Sequence, residues 1–400
     1  MSSALKKIPA SRAVLGMYVQ RIDGKWLDHP FWRSAFLIAD AKMLQTIRSL
    51  GMQEIWIDPR KGKDEASQGL PAIEPAPELP APPPAQPSRP RSAFGDDVAR
   101  AEDLRDRAKA AAKALFEDAR MGRALRMETA ASLIDEVDEA IARNHAAMLS
   151  VLRLKNKDDY TYLHSIAVAA LMMALGRRLG IEGDALRELG MAGLLHDIGK
   201  VGVPDVVLNK PGRLNPMETT SVRRHPQIGW DILRREAAAG PVALDVCLHH
   251  HEKTDGSGYP EQLSGDSISR AARMGAICDV YDAITSDRPY KRGWEPAEAI
   301  RRMAEWQDGH FDRDIFHAFV KLIGIYPTGT LVRLGSGRLA VVLAQSRGSS
   351  LNPVVRVISA PPEGELAEPV TLELEHADDR ITGIEDPLQW DLHIAQLLRA

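Results

Sequence analysis

A mostly helical protein, with a small α+β unit ahead of the helices and a small β appendage behind them, is the fold class this sequence predicts. Three observations lead there. From residue 96 to 325 apolar residues recur at helical spacing, while short alternating or β-rich runs stand before residue 62 and after residue 330. Between the first unit and the helices lies a proline-rich stretch, residues 69–90, which stays extended and joins no packed core. At 400 residues the chain exceeds one ordinary core. The boundaries read as residues 1–65 for the α+β unit, 66–93 for the linker and 94–154 for connecting helices. A helical domain over 155–325 and a β-rich appendage over 326–400 complete the chain.

In the first unit, Met17–Ile22 and Glu54–Asp58 alternate as half-buried strands do, and Ala41–Leu50 has helical spacing with Gly51 as its stop. Nothing there has catalytic spacing. After the linker, Leu104, Ala108, Ala111 and Leu115 share one helix face, and Leu133, Ile134, Val137 and Ile141 another. These helices read equally as structural elements or as a signalling connection. Farther on, Leu163, Ile166, Ala170 and Ala174 form a stripe. So do Leu186, Leu189, Gly190, Gly193 and Leu194, whose glycines admit a close neighbour. Asn215-Pro216-Met217-Glu218 is a helix start with cap, proline and acid in order. Gly335-Ser336-Gly337 between two β-rich runs predicts a hairpin, and Val354–Ile358 a third strand.

Composition excludes several classes. Lys and Arg number 51 against 55 Asp and Glu, a formal net charge of −4, so polymeric nucleic acid is not the expected partner. No apolar run approaches the roughly 20 residues of a membrane helix, and the opening MSSALKKIPASRAV has no secretion signal. Two cysteines, Cys247 and Cys278, fit a reducing cytoplasm and exclude a disulfide framework. Of 12 histidines, seven fall between 145 and 251, and that clustering points to metal chemistry.

The centre of it is Leu195-His196-Asp197-Ile198-Gly199-Lys200. Neighbouring residues lie about 100° apart on a helix, so His196 and Asp197 reach one ion only at a helix end, which Gly199 supplies. His164 sits on the preceding helical stripe, His225 in RRHP, and His249-His250-His251-Glu252 after an apolar helix. Asp279 lies in the apolar run ICDVY, where a carboxylate costs several kcal/mol unless a cation or hydrogen bonds neutralise it. Imidazole and carboxylate without thiolate suit Fe, Mn, Zn or Ni, and argue against a structural zinc.

The segments YTYLHS, GLLHDIGKVGVPDVVLNKPGRL, RRHPQIGWDIL, HHEKTDGSGYP and ICDVYDAITSDRPYKR resemble the HD-GYP family, a branch of the HD metal-dependent phosphohydrolases. The likeness covers about residues 155–325. More weakly, GMYVQRIDGKWLDHPF with EIWIDPRKGKD resembles the uncharacterised small domain that often precedes HD-GYP modules in bacteria. The resemblance implies a helical HD-type bundle and a cytoplasmic cyclic di-GMP phosphodiesterase with two divalent ions, Fe or Mn. His164, His196, Asp197 and Asp279 would hold one ion and His225, His250 and His251 the other, with Asp197 bridging and His249 left over. Two ions roughly 3.5–4 Å apart would share a hydroxide able to attack phosphorus in line. Lys200 would donate to the developing phosphate charge, and Arg288, Lys291 and Asp282 would contact substrate. The resemblance implies that the DGSGYP loop shapes the rim of the site and contacts diguanylate cyclases (GGDEF proteins); a homodimer is a further expectation. Some members carry Glu where this chain has Tyr160, so two metals are expected, with linear pGpG favoured over GMP. The alternatives are a signalling adaptor that binds cyclic di-GMP or a cyclase without turnover, and another HD-type nucleotide phosphohydrolase.

Overall fold

A computed structural model describes residues 5–22, 36–38, 44, 47–48, 54–63, 94–153, 160–236, 239–286, 292–346, 351–360, 364–390, 392 and 394–399. The chain divides into two compact units, residues 1–91 and 92–400.

In the first unit, strands β1 (Lys6–Pro9), β2 (Tyr18–Ile22), β3 (Phe36–Leu37) and β4 (Glu54–Ile57) form an antiparallel sheet in the order β1-β4-β2-β3. Alternation buries Ile8, Val19, Ile55 and Ile57 with Met17 and Ile38. Of the helix expected at 41–50, Leu44, Ile47 and Arg48 are described and helical, with Ile47 in the same core. The proline-rich linker lies outside the described residues.

The second unit is helical at its centre. Helices α1 (Phe94–Arg120) and α2 (Met127–Arg153) bury the faces that carry Leu104, Ala108 and Leu115, and Leu133, Val137 and Ile141. Both pack on α3 (Tyr160–Arg178), which is buried continuously from Leu163 to Gly176. Next comes α4 (Gly183–Leu195). A Cβ at Gly193 would sit 2.6 Å from Ala169 Cα, and one at Gly190 2.5 Å from Met173 Sδ, so glycine is what lets α4 lie on α3. A 3-10 turn (Ile198–Gly202) and a short helix α5 (Asp205–Leu208) lead to α6 (Pro216–Arg223). Its cap is complete: Asn215 Oδ1 accepts from Glu218 N while Glu218 accepts from Asn215 N. Then follow α7 (His225–Leu233), α8 (Gly240–His249), α9 (Arg270–Thr285), α10 (Pro296–His310) and α11 (Arg313–Ile323). Ser269 caps α9 and Asp312 caps α11.

The unit closes on an antiparallel sheet, order β8-β7-β6-β5-β9, and a last helix α12 (Ile394–Arg399). Strands β5 (Leu331–Leu334) and β6 (Leu339–Ala344) are the expected hairpin, and β7 (Val354–Ala360) is the third strand. Strands β8 (Gly364–Glu373) and β9 (Ile381–Ile384) were not expected, because β8 is acidic and interrupted by Pro369 and β9 is short. Among the described residues no helix is long and apolar enough to cross a membrane.

Candidate metal centre

Helix ends build the site. Helix α4 stops at Leu195, His196 keeps helical angles as its C-cap, and Asp197 departs to φ −104°, ψ 10°. That break turns two adjacent side chains toward one point. His250 likewise caps α8, with His251 in the turn that follows. His164 comes from the buried face of α3, and Asp279 from the middle of α9. His225 opens α7 and is brought up by a backbone contact: a Cβ at Gly199 would lie 2.0 Å from His225 O and 2.3 Å from Gly229 N. His164, His196, His225, His250 and Asp197 are at most 1% exposed.

Four imidazoles have their outer nitrogen tied down. His196 Nδ1 donates to Gly193 O at 2.7 Å, His225 Nδ1 to Val222 O at 2.7 Å and His250 Nδ1 to Val246 O at 3.0 Å. His164 Nδ1 donates to Asp282 Oδ2 at 2.6 Å. Each then presents the Nε2 lone pair inward. Around Asp197 the two carboxylate oxygens part company. Oδ2 lies 3.4 Å from His164 Nε2 and 3.2 Å from His196 Nε2, while Oδ1 lies 3.2 Å from His225 Nε2 and 3.8 Å from His250 Nε2. Asp279 Oδ1 stands 3.0 Å from His164 Nε2. The donor atoms fall into two groups, each within 4.8 Å: His164, His196, Asp197 and Asp279, and His225, His250 and His251.

A metal fits this arrangement. Lone pairs converge on lone pairs: His225 Nε2 and His250 Nε2 are 3.3 Å apart, and His196 Nε2 and Asp197 Oδ1 are buried with no hydrogen-bond partner. Acceptors that face each other in a dry site need a cation between them. Burial opposes a charged His164, yet Asp197, Asp279 and Asp282 together push it up to about 10. In the other half, burial and the neighbouring imidazoles hold His250 well below the usual histidine range. Burial, opposed by Asp279 and seconded by His225, takes His251 to about 3. Asp197 and Asp279 stay ionised; burial opposes this, but Lys200 and His196 at the first and His164 and His196 at the second prevail.

The remaining named residues divide. Lys200 Nζ donates to Asp197 Oδ2, and its side chain is 23% exposed, facing the site from its edge. Asp282, expected to contact substrate, is 4% exposed and turned to His164 Nδ1 at 2.6 Å. One helical turn from Asp279 it shares a stripe with that residue, and the His164 ring stands against both. Arg288 and Lys291 lie outside the described residues. His249 is apart from the cluster, its Nδ1 donating to Asp245 Oδ1 at 2.8 Å. Tyr160 lies parallel to His164, centroids 5.4 Å apart and planes at 10°, and brings no carboxylate. Sequence reasoning missed Glu252, 2% exposed, whose carboxylate accepts from Glu261 N and Leu263 N and so folds the DGSGYP loop. An acid directly after two candidate ligands was the available signal.

A helical bundle that gathers a His–Asp pair with further histidines and an aspartate is the architecture of an HD-type metal-dependent phosphohydrolase. The HD domain family matches residues 129–315, and a Domain of unknown function (DUF3391) matches residues 5–130. A cyclic di-GMP phosphodiesterase of Pseudomonas aeruginosa is 51% identical over 391 residues, 97% of this chain and 94% of its own. A cyclic di-GMP phosphodiesterase response regulator of Xanthomonas campestris pv. campestris is 34% identical over 180 residues, 45% of this chain and 47% of its own. A 3′3′-cGAMP-specific phosphodiesterase of Vibrio cholerae is 35% identical over 176 residues, 44% of this chain and 41% of its own. This chain belongs to the HD-GYP family of HD-domain proteins, with the DUF3391 unit ahead of the HD domain.

Proposed function

We propose that this protein is a cytoplasmic phosphodiesterase that hydrolyses cyclic di-GMP to linear pGpG, using two divalent ions, Fe or Mn. What supports the reading most is the Asp197 carboxylate, with one oxygen toward His164 and His196 and the other toward His225 and His250. That is the disposition of a bridging ligand. His164, His196, Asp197 and Asp279 would hold one ion, and His225, His250 and His251, with Asp197, the other. Bound there, the ions supply Lewis acidity that brings a water's pKa toward neutrality and offsets phosphate charge.

The chain's own groups do the rest. Carbonyls of Gly193, Val222 and Val246 and the carboxylate of Asp282 fix the ring orientations, so the cluster is formed before substrate arrives. Lys200 neutralises Asp197 and stands ready to donate to a phosphate oxygen as charge grows on it. Arg288 and Lys291 bind the phosphates and base edges of the substrate. Tyr160, in place of a carboxylate, leaves the site with two ions and a single cut. Contacts with a GGDEF cyclase through the DGSGYP loop, and a homodimer, belong to the same reading. The 51% identical relative, a cyclic di-GMP phosphodiesterase by name, supports the substrate.

The test is purified full chain with Mn(II) or Fe(II), offered cyclic di-GMP and 3′3′-cGAMP in parallel, with products resolved by chromatography. Accumulating pGpG that stops on chelation is the expected result, with Asp197→Ala losing both ions and all turnover. Tight binding of cyclic di-GMP without cleavage by metal-loaded protein would establish the adaptor reading instead.

A further inference from the structure

His251 stands apart from its neighbours in the cluster. The outer nitrogens of His164, His196, His225 and His250 all donate to a carboxylate or a carbonyl. His251 makes no such bond among the described residues; its nearest charged group, Asp279 Oδ2, is 3.9 Å from Nδ1. Its side chain is 25% exposed, against 0–1% for the other four. An imidazole that is a quarter open to water and unbonded at its rim turns about its side-chain torsions unless something else stops it.

The ring of Tyr259 stops it. The two rings stack with centroids 4.7 Å apart and planes at 25°, and Tyr259 N donates to His251 O at 3.2 Å. The guanidinium of Arg223 lies over the Tyr259 ring at 5.1 Å. The loop that carries Tyr259 is held from several sides. Glu252 Oε1 accepts from Glu261 N at 2.7 Å and Oε2 from Leu263 N at 3.1 Å. Asp255 Oδ1 accepts from Ser257 N at 2.8 Å, and Asp255 N donates to Gly309 O at 2.9 Å. Gly258 is pressed on the backbone just after the histidines, where a Cβ would lie 2.5 Å from Glu252 Cα. A buried carboxylate, a glycine without room for a methyl and a pinned turn all fix one aromatic ring against one imidazole.

We propose that Tyr259 is a positioning residue for His251: ring stacking orients this ligand where hydrogen bonds orient the other four, and Glu252 folds the loop that presents the ring. The inference rests on the two-metal reading above. Hydrogen-bonding partners behind metal ligands are worth 10–100-fold in affinity, and a stacked ring at the low end of that range makes about tenfold the expected effect.

The experiment titrates Mn(II) into metal-free full-length protein, following the unbound ion by its paramagnetic resonance signal, with thermal melts of the metal-free forms alongside. Wild type takes up two ions. Tyr259→Phe keeps the ring and binds both as wild type does. Tyr259→Leu binds the first ion normally, binds the second about tenfold more weakly, and melts with wild type. Glu252→Gln, which keeps Tyr259 but loosens its loop, weakens the same second ion; it decides the matter should the leucine variant misfold. A Tyr259→Leu titration that superimposes on wild type overturns the proposal, as does a Tyr259→Phe protein weakened as much as the leucine variant. A wild type that takes up no second ion overturns the two-metal reading itself.

Discussion

Replacing Gly199 by alanine drives a methyl group into backbone. The new Cβ would lie 2.0 Å from His225 O, 2.3 Å from Gly229 N and 2.9 Å from Gly229 Cα. Side-chain carbons do not approach other heavy atoms closer than about 3.0 Å, so the segment around Asp197 and the start of α7 must part by about 1.0 Å. Neither side has a flexible end to fold away. Metal ligands tolerate displacements of about 0.2 Å, so His225 leaves its place relative to Asp197. Overpacking of this kind costs about 1–3 kcal/mol, which in a unit of this size lowers the melting temperature by roughly 2–5 °C. Metal analysis by mass spectrometry and thermal melts are the assays. The expected outcome is loss of at least the ion held by the His225 group, with the melting temperature lowered. Gly383→Ala is the control, since its Cβ meets nothing within 4 Å. A Gly199→Ala protein that binds two ions and melts with wild type would refute the claim that this contact sets the metal site.

Lys200→Ala should keep both ions by metal analysis yet turn over about 10²–10³-fold more slowly, since one charge-assisted donor to the transition state is gone. Removing residues 1–92 should leave a folded, metal-loaded protein with altered turnover; an insoluble or metal-free product would mean that the first unit belongs to the catalytic core. In the C-terminal sheet, burial opposes the Asp379 charge, but bonds from Ser336 and Arg338 hold its pKa at about 2, below the usual 3.8. The folded pKa is the lower one, so its contribution, about 2 kcal/mol, is complete above about pH 4 and fades as pH falls toward 2. Urea unfolding of Asp379→Ala against wild type should show that gap at pH 7 and little of it near pH 2.

What was legible in the sequence was whatever repeats with a period or is rare in its place. Apolar stripes marked α1 to α4, and histidines in helical or turn contexts named side chains that the fold brings within reach of one another. Asp279 stood out because an acid in an apolar run demands a partner. The partner of Asp282 was illegible because a stripe gives direction but not depth: His164, which its carboxylate meets, comes from a helix 118 positions earlier. The close approach of Gly199 to Gly229 was illegible for the same reason, since a glycine's value depends on what arrives opposite it. Strands β8 and β9 escaped because sheet neighbours, and not their own alternation, stabilise them. Tyr259 gave no signal of its own, since a lone tyrosine in a glycine-rich loop reads as rim; Glu252 offered only its place directly after two candidate ligands.

The helical unit begins at Phe94 and its last helix ends at Arg399, and these two ends meet. Phe94 packs in one apolar cluster with Leu331, Leu339, Leu343 and Leu398, and α12 lies on α1. Roughly three hundred residues therefore leave one small cluster and return to it, a ring closed by side chains in place of a covalent bond. A ring has no privileged opening. With residues 1–93 removed, joining its ends by a short peptide and cutting at an exposed turn such as Gly122, where nothing lies within 4 Å of an added Cβ, should leave every helix of the His–Asp cluster uncut. The order in which the clustered histidines and aspartates occur along the chain is thus incidental to the cluster, and their order in space is what the unit preserves.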